Sequence, residues 1–387
     1  MDFSLIIDFI RKYYEAKPDD IIPLHRPKFI GNEKKYLNDC IDSTFVSSVG
    51  EYVNRFETDI ATFCNSKFAV ATTNGTAALH AALIALNINQ DCEVITQPLS
   101  FIATSNAICY TGAKPIYIDV DMDTMGMSPN ALEYFLQKNT IFKNNQTFNK
   151  HTNKIIKACI PMHTFGHPVR ILEIQKICSR WNISLIEDAA ESLGSFIHND
   201  SRYIHMGNFG ICGILSFNGN KTITCGGGGA ILTNDESLAQ KLKHITTTAK
   251  IPHSFEYKHD ILGFNYRLPN INAALAVAQI ENLSDFLKDK RKLAEQYSDF
   301  FANHYECISF VNARKDTLPN FWLNAILLDS KKTRDDLLEF SNKNNVMMRP
   351  IWQLNNECPY LKNTQCDALT NAKFLSDRII NIPSSVK

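Results

Sequence analysis

Short apolar runs alternate with amphipathic stretches through the first two thirds of the chain. Phe68-Ala69-Val70-Ala71, Glu93-Val94-Ile95-Thr96, Pro115 to Asp119, Ile155 to Ile160 and Ser184-Leu185-Ile186 read as strands. Between them, 77–86, 102–110 and 169–180 read as helices. Strands and helices alternating at this spacing imply right-handed crossovers and a mainly parallel sheet, an α/β domain. Upstream, Leu5, Ile6, Phe9, Ile10 and Tyr13 fall at helical spacing within residues 1–20, and Pro18 ends that helix. Two more helices follow over 33–43 and 52–65, while the Asn-, Lys- and Thr-rich stretch 137–154 reads as a polar connection. A helix over 237–247 closes the sheet domain, and one long helix from Ala273 to about His304 bridges into a smaller α+β part. That part has strands near 308–311 and 322–328 and a helix over 333–342. The expected division is an N-terminal segment 1–45, a large domain 46–262 and a small domain 263–387.

The stretch with the most chemical content is Ser216-Phe217-Asn218-Gly219-Asn220-Lys221, which runs through Cys225 into Gly226 to Gly229. Apolar residues before it and Ala230-Ile231-Leu232 after it read as two strands, with one lysine between them. A lysine confined between apolar strands is costly as an ammonium, so its neutral amine becomes available to attack a carbonyl, the chemistry of a Schiff base. A loop lysine pointing to water is the plainer alternative, and four adjacent glycines count against a simple surface hairpin.

Two further stretches bear on the same chemistry. Thr73-Asn74-Gly75-Thr76 leads a strand directly into a helix, which offers backbone N–H groups and a hydroxyl to an anion, or merely a Thr cap. Asp188, in Glu187-Asp188-Ala189-Ala190-Glu191, comes straight after a buried strand, where a carboxylate needs a cationic partner unless it caps a helix. His163 and His167 are four apart, yet Gly166 and Pro168 break the helix that a metal pair would need, so no metal is assigned.

Ser-Phe-x-x-x-Lys221 with its glycine-rich turn and Leu232-Thr233-Asn234-Asp235 resembles the pyridoxal-phosphate lysine segment of the DegT/DnrJ/EryC1/StrS sugar aminotransferases. Asp188 and Lys221 match that family's pair in identity, order and spacing, as do Ser47-Ser48-x-Gly50, the Gly-x-Asn-x-Arg motif at 263–267 and the closing Asn381-Ile382-Pro383-Ser384-Ser385. The resemblance implies an aspartate-aminotransferase-like (fold type I) architecture and pyridoxal 5'-phosphate as cofactor, with Lys221 as the catalytic lysine. It assigns Asp188 to the pyridine nitrogen, Phe101 to the ring face, Glu191 to the cofactor's surroundings, and Gly75, Thr76 and Ser216 to the phosphate. Asn265 would reach the phosphate of the other subunit, which implies a homodimer with shared sites. His163 and Arg349 fall on the substrate side. Much of the family has Gly-Glu-Gly-Gly after the lysine, whereas here Gly227 occupies the Glu position. That departure resembles the enzymes that aminate a nucleotide-linked 4-keto-6-deoxy-N-acetylhexosamine at C4, with glutamate as donor, in legionaminic acid and bacillosamine pathways. The alternatives are another nucleotide keto-sugar, with C3 amination or a GDP-perosamine type product, or a degenerate, non-catalytic regulatory protein.

Charge and composition narrow the partners. Forty basic and forty acidic residues among 387 cancel, so no global field favours nucleic acid and a phosphate must be gripped locally. Eleven scattered cysteines without a Cys-x-x-Cys suit reduced thiols in a cytoplasm. The acidic start is unlike a signal peptide, and no apolar run approaches the roughly 18 residues of a membrane span. A Ser216–Lys221 hydrolase has the wrong spacing for Ser-x-x-Lys, and the glycine run fits neither a dinucleotide fingerprint nor a P-loop. A related sugar dehydratase that carries His in place of the lysine is disfavoured by Lys221.

Overall fold

In the computed structural model, which describes residues 2–387, the apolar runs pair into one nine-stranded sheet. Seven strands lie in the order Phe68–Thr72, Gly229–Thr233, Cys212–Ser216, Ser184–Asp188, Ile155–Ile160, Cys92–Thr96, Lys114–Tyr117. The last five are mutually parallel, and Gly229–Thr233 alone runs against both neighbours. Helices Gly75–Ala85, Ala103–Tyr110 and Ile171–Arg180 cover the faces, so Cys92–Thr96 and Gly229–Thr233 are buried along their whole length. That is why these strands read as continuous apolar runs and not as alternating ones. The short link from Ser216 to Gly229 allows no crossover helix, which makes that pair antiparallel and leaves Lys221 in the connecting loop.

Two cores sandwich the sheet. On one side the alanine-rich Gly75–Ala85 packs with Glu236–Thr246 against Val70, Val94, Ile160, Ile186, Ile214 and Ile231. On the other, Glu51–Cys64 and Asn270–Glu281 pack against Leu215, Phe217 and Leu232, with Phe56 edge-on to Phe217 at 5.1 Å. A four-stranded antiparallel sheet of Ile308–Phe310, Asn324–Leu328, Ile379–Ile382 and Arg349–Pro350 lies beyond, covered by Leu283–His304. The first helix, Ser4–Tyr14, packs there too, with Phe9 stacked on Phe300 at 4.3 Å. The described residues of the expected N-terminal segment therefore divide between the two parts, because Glu33–Asp42 packs instead beside Asn270–Glu281.

Three elements differ from the sequence expectation. The single bridging helix is two, Asn270–Glu281 and Leu283–His304, broken at Asn282. The polar connection 137–154 contains the end of a helix, Pro129–Asn139, and a hairpin of Thr140–Lys143 with Gln146–Asn149. A second hairpin, Phe196–Asn199 with Arg202–His205, follows Asp188. Among the described residues no helix is long and apolar enough to cross a membrane.

Candidate active site

Ser184–Asp188 and Cys212–Ser216 are parallel neighbours, so their carboxyl ends lie at one edge of the sheet, where sites in open α/β sheets form. Phe68–Thr72 runs in the same direction and delivers the Gly75 helix to that edge. A cavity of about 390 Å³ opens there, and Gly75, Thr76, Phe101, Asp188, Glu191, Ser216 and Lys221 all line it. Residues as far apart in sequence as Gly75 and Lys221 thus meet around one space.

Successive strand residues point to opposite faces, which separates Glu187 from Asp188. Glu187 turns away and is consumed by the backbone N–H groups of Gly207, Phe209 and Gly210 and by His163. Asp188 faces the cavity, 3% exposed, and meets the Thr104 hydroxyl at 2.5 Å and the Ala190 N–H at 3.2 Å. No cation among the described residues pairs with it. A buried carboxylate with hydrogen-bond donors but no counter-ion fits a protonated ring nitrogen of a bound group.

Lys221 Nζ lies 3.2 Å from Glu191 Oε1 and 3.9 Å from the centre of the Trp322 ring. The lysine side chain is 13% exposed in the loop between the two strands, with a carboxylate and an aromatic face for company. Glu191 Oε2 accepts the Phe165 N–H at 2.9 Å. Burial pushes the Glu191 carboxyl up to about 7, against the pull of Lys221 and the Phe165 N–H and with help from Asp188. At neutral pH it stands poised between its two protonation states.

At the head of Gly75–Ala85, Asn74 Oδ1 accepts the Ala77 N–H at 2.8 Å, so Asn74 and not Thr76 is the cap. The Gly75 and Thr76 N–H groups then have no intrahelical acceptor and face the cavity beside Ser216. A Cβ at position 75 would stand 3.0 Å from Ser216 Cβ, so a larger residue would have to push Ser216 back for this approach. Free N–H groups, a hydroxyl and a positive helix end make a cradle for a phosphate. Phe101, two residues before Ala103–Tyr110, is 53% exposed and lines the cavity.

Two expected residues are not brought to this cavity, and a third, Asn265, was expected only at the site of the other subunit. His163 is wholly buried, with Nε2 3.1 Å from Glu187 Oε2 and Nδ1 accepting the Val169 N–H, so both ring nitrogens are occupied by the fold. Arg349 is exposed on the edge of the small sheet, bonded to Asn342 Oδ1 at 3.4 Å. Asn265 accepts from its own neighbour Arg267 at 3.2 Å and does not line the cavity of its own chain. Conversely, Thr104, Asn218, Asn220, Trp322 and Trp352 line it without having been singled out. Two of the chain's three tryptophans are among them, a rarity that could have drawn notice.

The model of the DegT/DnrJ/EryC1/StrS aminotransferase family matches residues 27–387. The chain belongs to that family. GDP-perosamine synthase of Escherichia coli O157:H7 is 36% identical over 364 residues, covering 94% of this chain and 93% of the relative. GDP-perosamine synthase of Vibrio cholerae is 33% identical over 372 residues, covering 94% of each. Among solved structures, the fold is shared with E. coli GDP-4-keto-6-deoxy-D-mannose-3-dehydratase with bound hydrated PLP, at a TM-score of 0.80 and 23% identity over 94% of this chain and 95% of that one. The architecture is the fold type I of pyridoxal-phosphate aminotransferases, and the family depends on that cofactor and acts on nucleotide sugars. The N-acetylhexosamine sub-type suggested by Gly227 finds no counterpart in the names of these two relatives.

Proposed function

We propose that this chain is a pyridoxal-phosphate aminotransferase that moves an amino group from glutamate to the C4 ketone of a nucleotide-linked 4-keto-6-deoxyhexose. The observation that carries this reading is the convergence of Lys221 and an uncompensated Asp188 on one cavity that also holds a free helix N-terminus. When bound, the cofactor supplies an aldehyde and an electron-withdrawing ring on which amino groups are exchanged. Lys221 Nζ would hold it covalently and, as a free amine, would serve as the base that takes the proton from the donor's α-carbon. Asp188 keeps a proton on the ring nitrogen. Phe101 fixes the plane of the ring, while Gly75, Thr76 and Ser216 grip the phosphate. Glu191 Oε1 is the counter-charge that receives the Lys221 amine whenever it is free.

We further propose that the enzyme is a cytoplasmic homodimer in which Asn265 of the partner subunit completes the phosphate site. Lys221 is the sole Lys or Arg lining the cavity, so a phosphate held within one chain has only dipoles and this amine around it. The loop leading to Asn265 exposes Phe255, Tyr257 and Leu262 at 79%, 82% and 78%. A cytoplasmic setting suits eleven cysteines that are all free. Residues 46–262 would hold the cofactor, and 263–387 would close over the sugar with Trp322 and Trp352.

Two sugars compete. The relatives' shared name supports a GDP-linked substrate. Gly227 resembles the N-acetylhexosamine enzymes at this position, and packing does not force it, because a Cβ there would meet only Thr73 O at 3.6 Å. The experiment is to supply glutamate with GDP- and UDP-linked 4-keto-6-deoxy sugars, N-acetylated and not, and to weigh the products. An amino sugar from one of them is expected; no amination of any would contradict the proposal.

A further inference from the structure

Asn320 is wholly buried and does not line the cavity, yet its carboxamide touches three of the segments that do. Its Nδ2 donates to Glu191 O and Leu193 O, both at 2.9 Å, and lies 3.3 Å from the Thr222 hydroxyl, next to Lys221. Its Oδ1 accepts the Trp322 N–H at 2.8 Å. The other side of Trp322 is fixed as well, because its carbonyl accepts from the buried Lys290 at 3.1 Å and its indole N–H donates to Asn220 O at 2.6 Å. Asn320 is also pressed against the turn that carries Phe165, the donor to Glu191 Oε2: a Cβ at Gly166 would stand 1.8 Å from Asn320 Oδ1.

We propose that Asn320 is a positioning residue for the chemistry of Lys221, setting the distances among Nζ, the Glu191 carboxylate and the Trp322 ring. No other polar side chain could replace it without loss: the position needs two donors and an acceptor in one plane within a space closed by Gly166, and a carboxamide on a single methylene supplies them. The sheet places Glu191 and Lys221 on separate loops 30 residues apart in sequence. Loops drift where nothing ties them, and a misplacement of about 1 Å can cost on the order of 100-fold in rate. Asn320 supplies that tie from a third segment.

This inference rests on the proposal that Lys221 binds the cofactor. Its test is the pH dependence of the visible absorption of the holoprotein, which reports the proton on the lysine nitrogen joined to the cofactor. A carboxylate held beside that nitrogen favours the protonated form, so loosening Glu191 shifts the midpoint to lower pH. For Asn320→Ala, a downward shift of about one pH unit is expected, a tenfold change in proton affinity. With it should come a kcat reduced by at least about tenfold and KM values little changed. Ser195→Ala is the control for a merely structural joint: Ser195 Oγ accepts the Asn320 backbone N–H and donates to Gly166 O, but touches neither Glu191 nor Trp322. It should lower the melting temperature and leave the midpoint where it was. If Asn320→Ala fails to yield folded holoprotein, Thr222→Val removes only the contact next to Lys221, and a smaller shift in the same direction is expected. An unshifted midpoint in the folded variant, or an equal shift in Ser195→Ala, overturns the role of Asn320. A wild-type protein with no visible band would instead overturn the underlying assignment of Lys221.

Discussion

Glu191 is the residue where sequence and structure differ most in what they say. The sequence placed it near the cofactor, while the structure makes it the buried partner of Lys221 and raises its carboxyl to about 7. A carboxyl whose pKa is raised in the folded state gives stability that is present in full below its unfolded value, 4.5, and lost as the pH climbs toward 7. In the apoprotein this loss amounts to roughly 3 kcal/mol, and Glu191→Gln, permanently neutral, should lack it. Urea unfolding at pH 4.5 and pH 8 measures both; an identical pH slope in wild type and variant would contradict the assignment. The glycine run gives a sharper contrast. A Cβ at Gly228 would lie 2.4 Å from Cys225 Sγ, and one at Gly227 meets open space apart from Thr73 O. Gly228→Ala should cost roughly 1–3 kcal/mol, and Gly227→Ala within about 0.5 kcal/mol, as read by thermal unfolding. Lys221 and Asp188 were legible because each adjoins apolar strands, where a buried charge needs a partner. Trp322 and Asn320 were not, since their roles arise from contacts about 100 residues away in sequence.

At the scale of elements, the parallel core was legible and the hairpins were not. Both hairpins turn on two residues with positive φ, Asn144-Asn145 at 50° and 58° and Asp200-Ser201 at 44° and 71°. Such paired positions are a hairpin signal, particularly for Asn and Asp, but the flanking strands are short and lack apolar alternation. The break at Asn282 was hidden because the sequence on both sides favours helix; Asn282 Nδ2 folds back to Ala278 O at 3.1 Å. At the head of the Gly75 helix the cap is Asn74, and not the Thr that stood as the alternative to an anion site. Asn74→Ala should therefore lower stability by about 1 kcal/mol through loss of the bond to the Ala77 N–H, and Thr76→Val should not. Apoprotein melting curves of the two variants test this; equal losses would contradict it.

For the molecule as a whole, the cavity places one lysine, one uncompensated carboxylate and one helix end together. Tyr257→Asp with Leu262→Asp should convert a sedimenting dimer into a monomer of about 43.8 kDa and weaken retention of pyridoxal phosphate. Sedimentation with absorbance detection reads both; a wild-type monomer that keeps its cofactor would remove the shared site. The central claim is narrower: the cofactor is bonded to residue 221. Borohydride treatment of the holoprotein, followed by peptide mass mapping, should place a phosphopyridoxyl group on the Lys221 peptide and leave none after Lys221→Ala. A label on another lysine, or none at all on protein saturated with pyridoxal phosphate, would contradict the account.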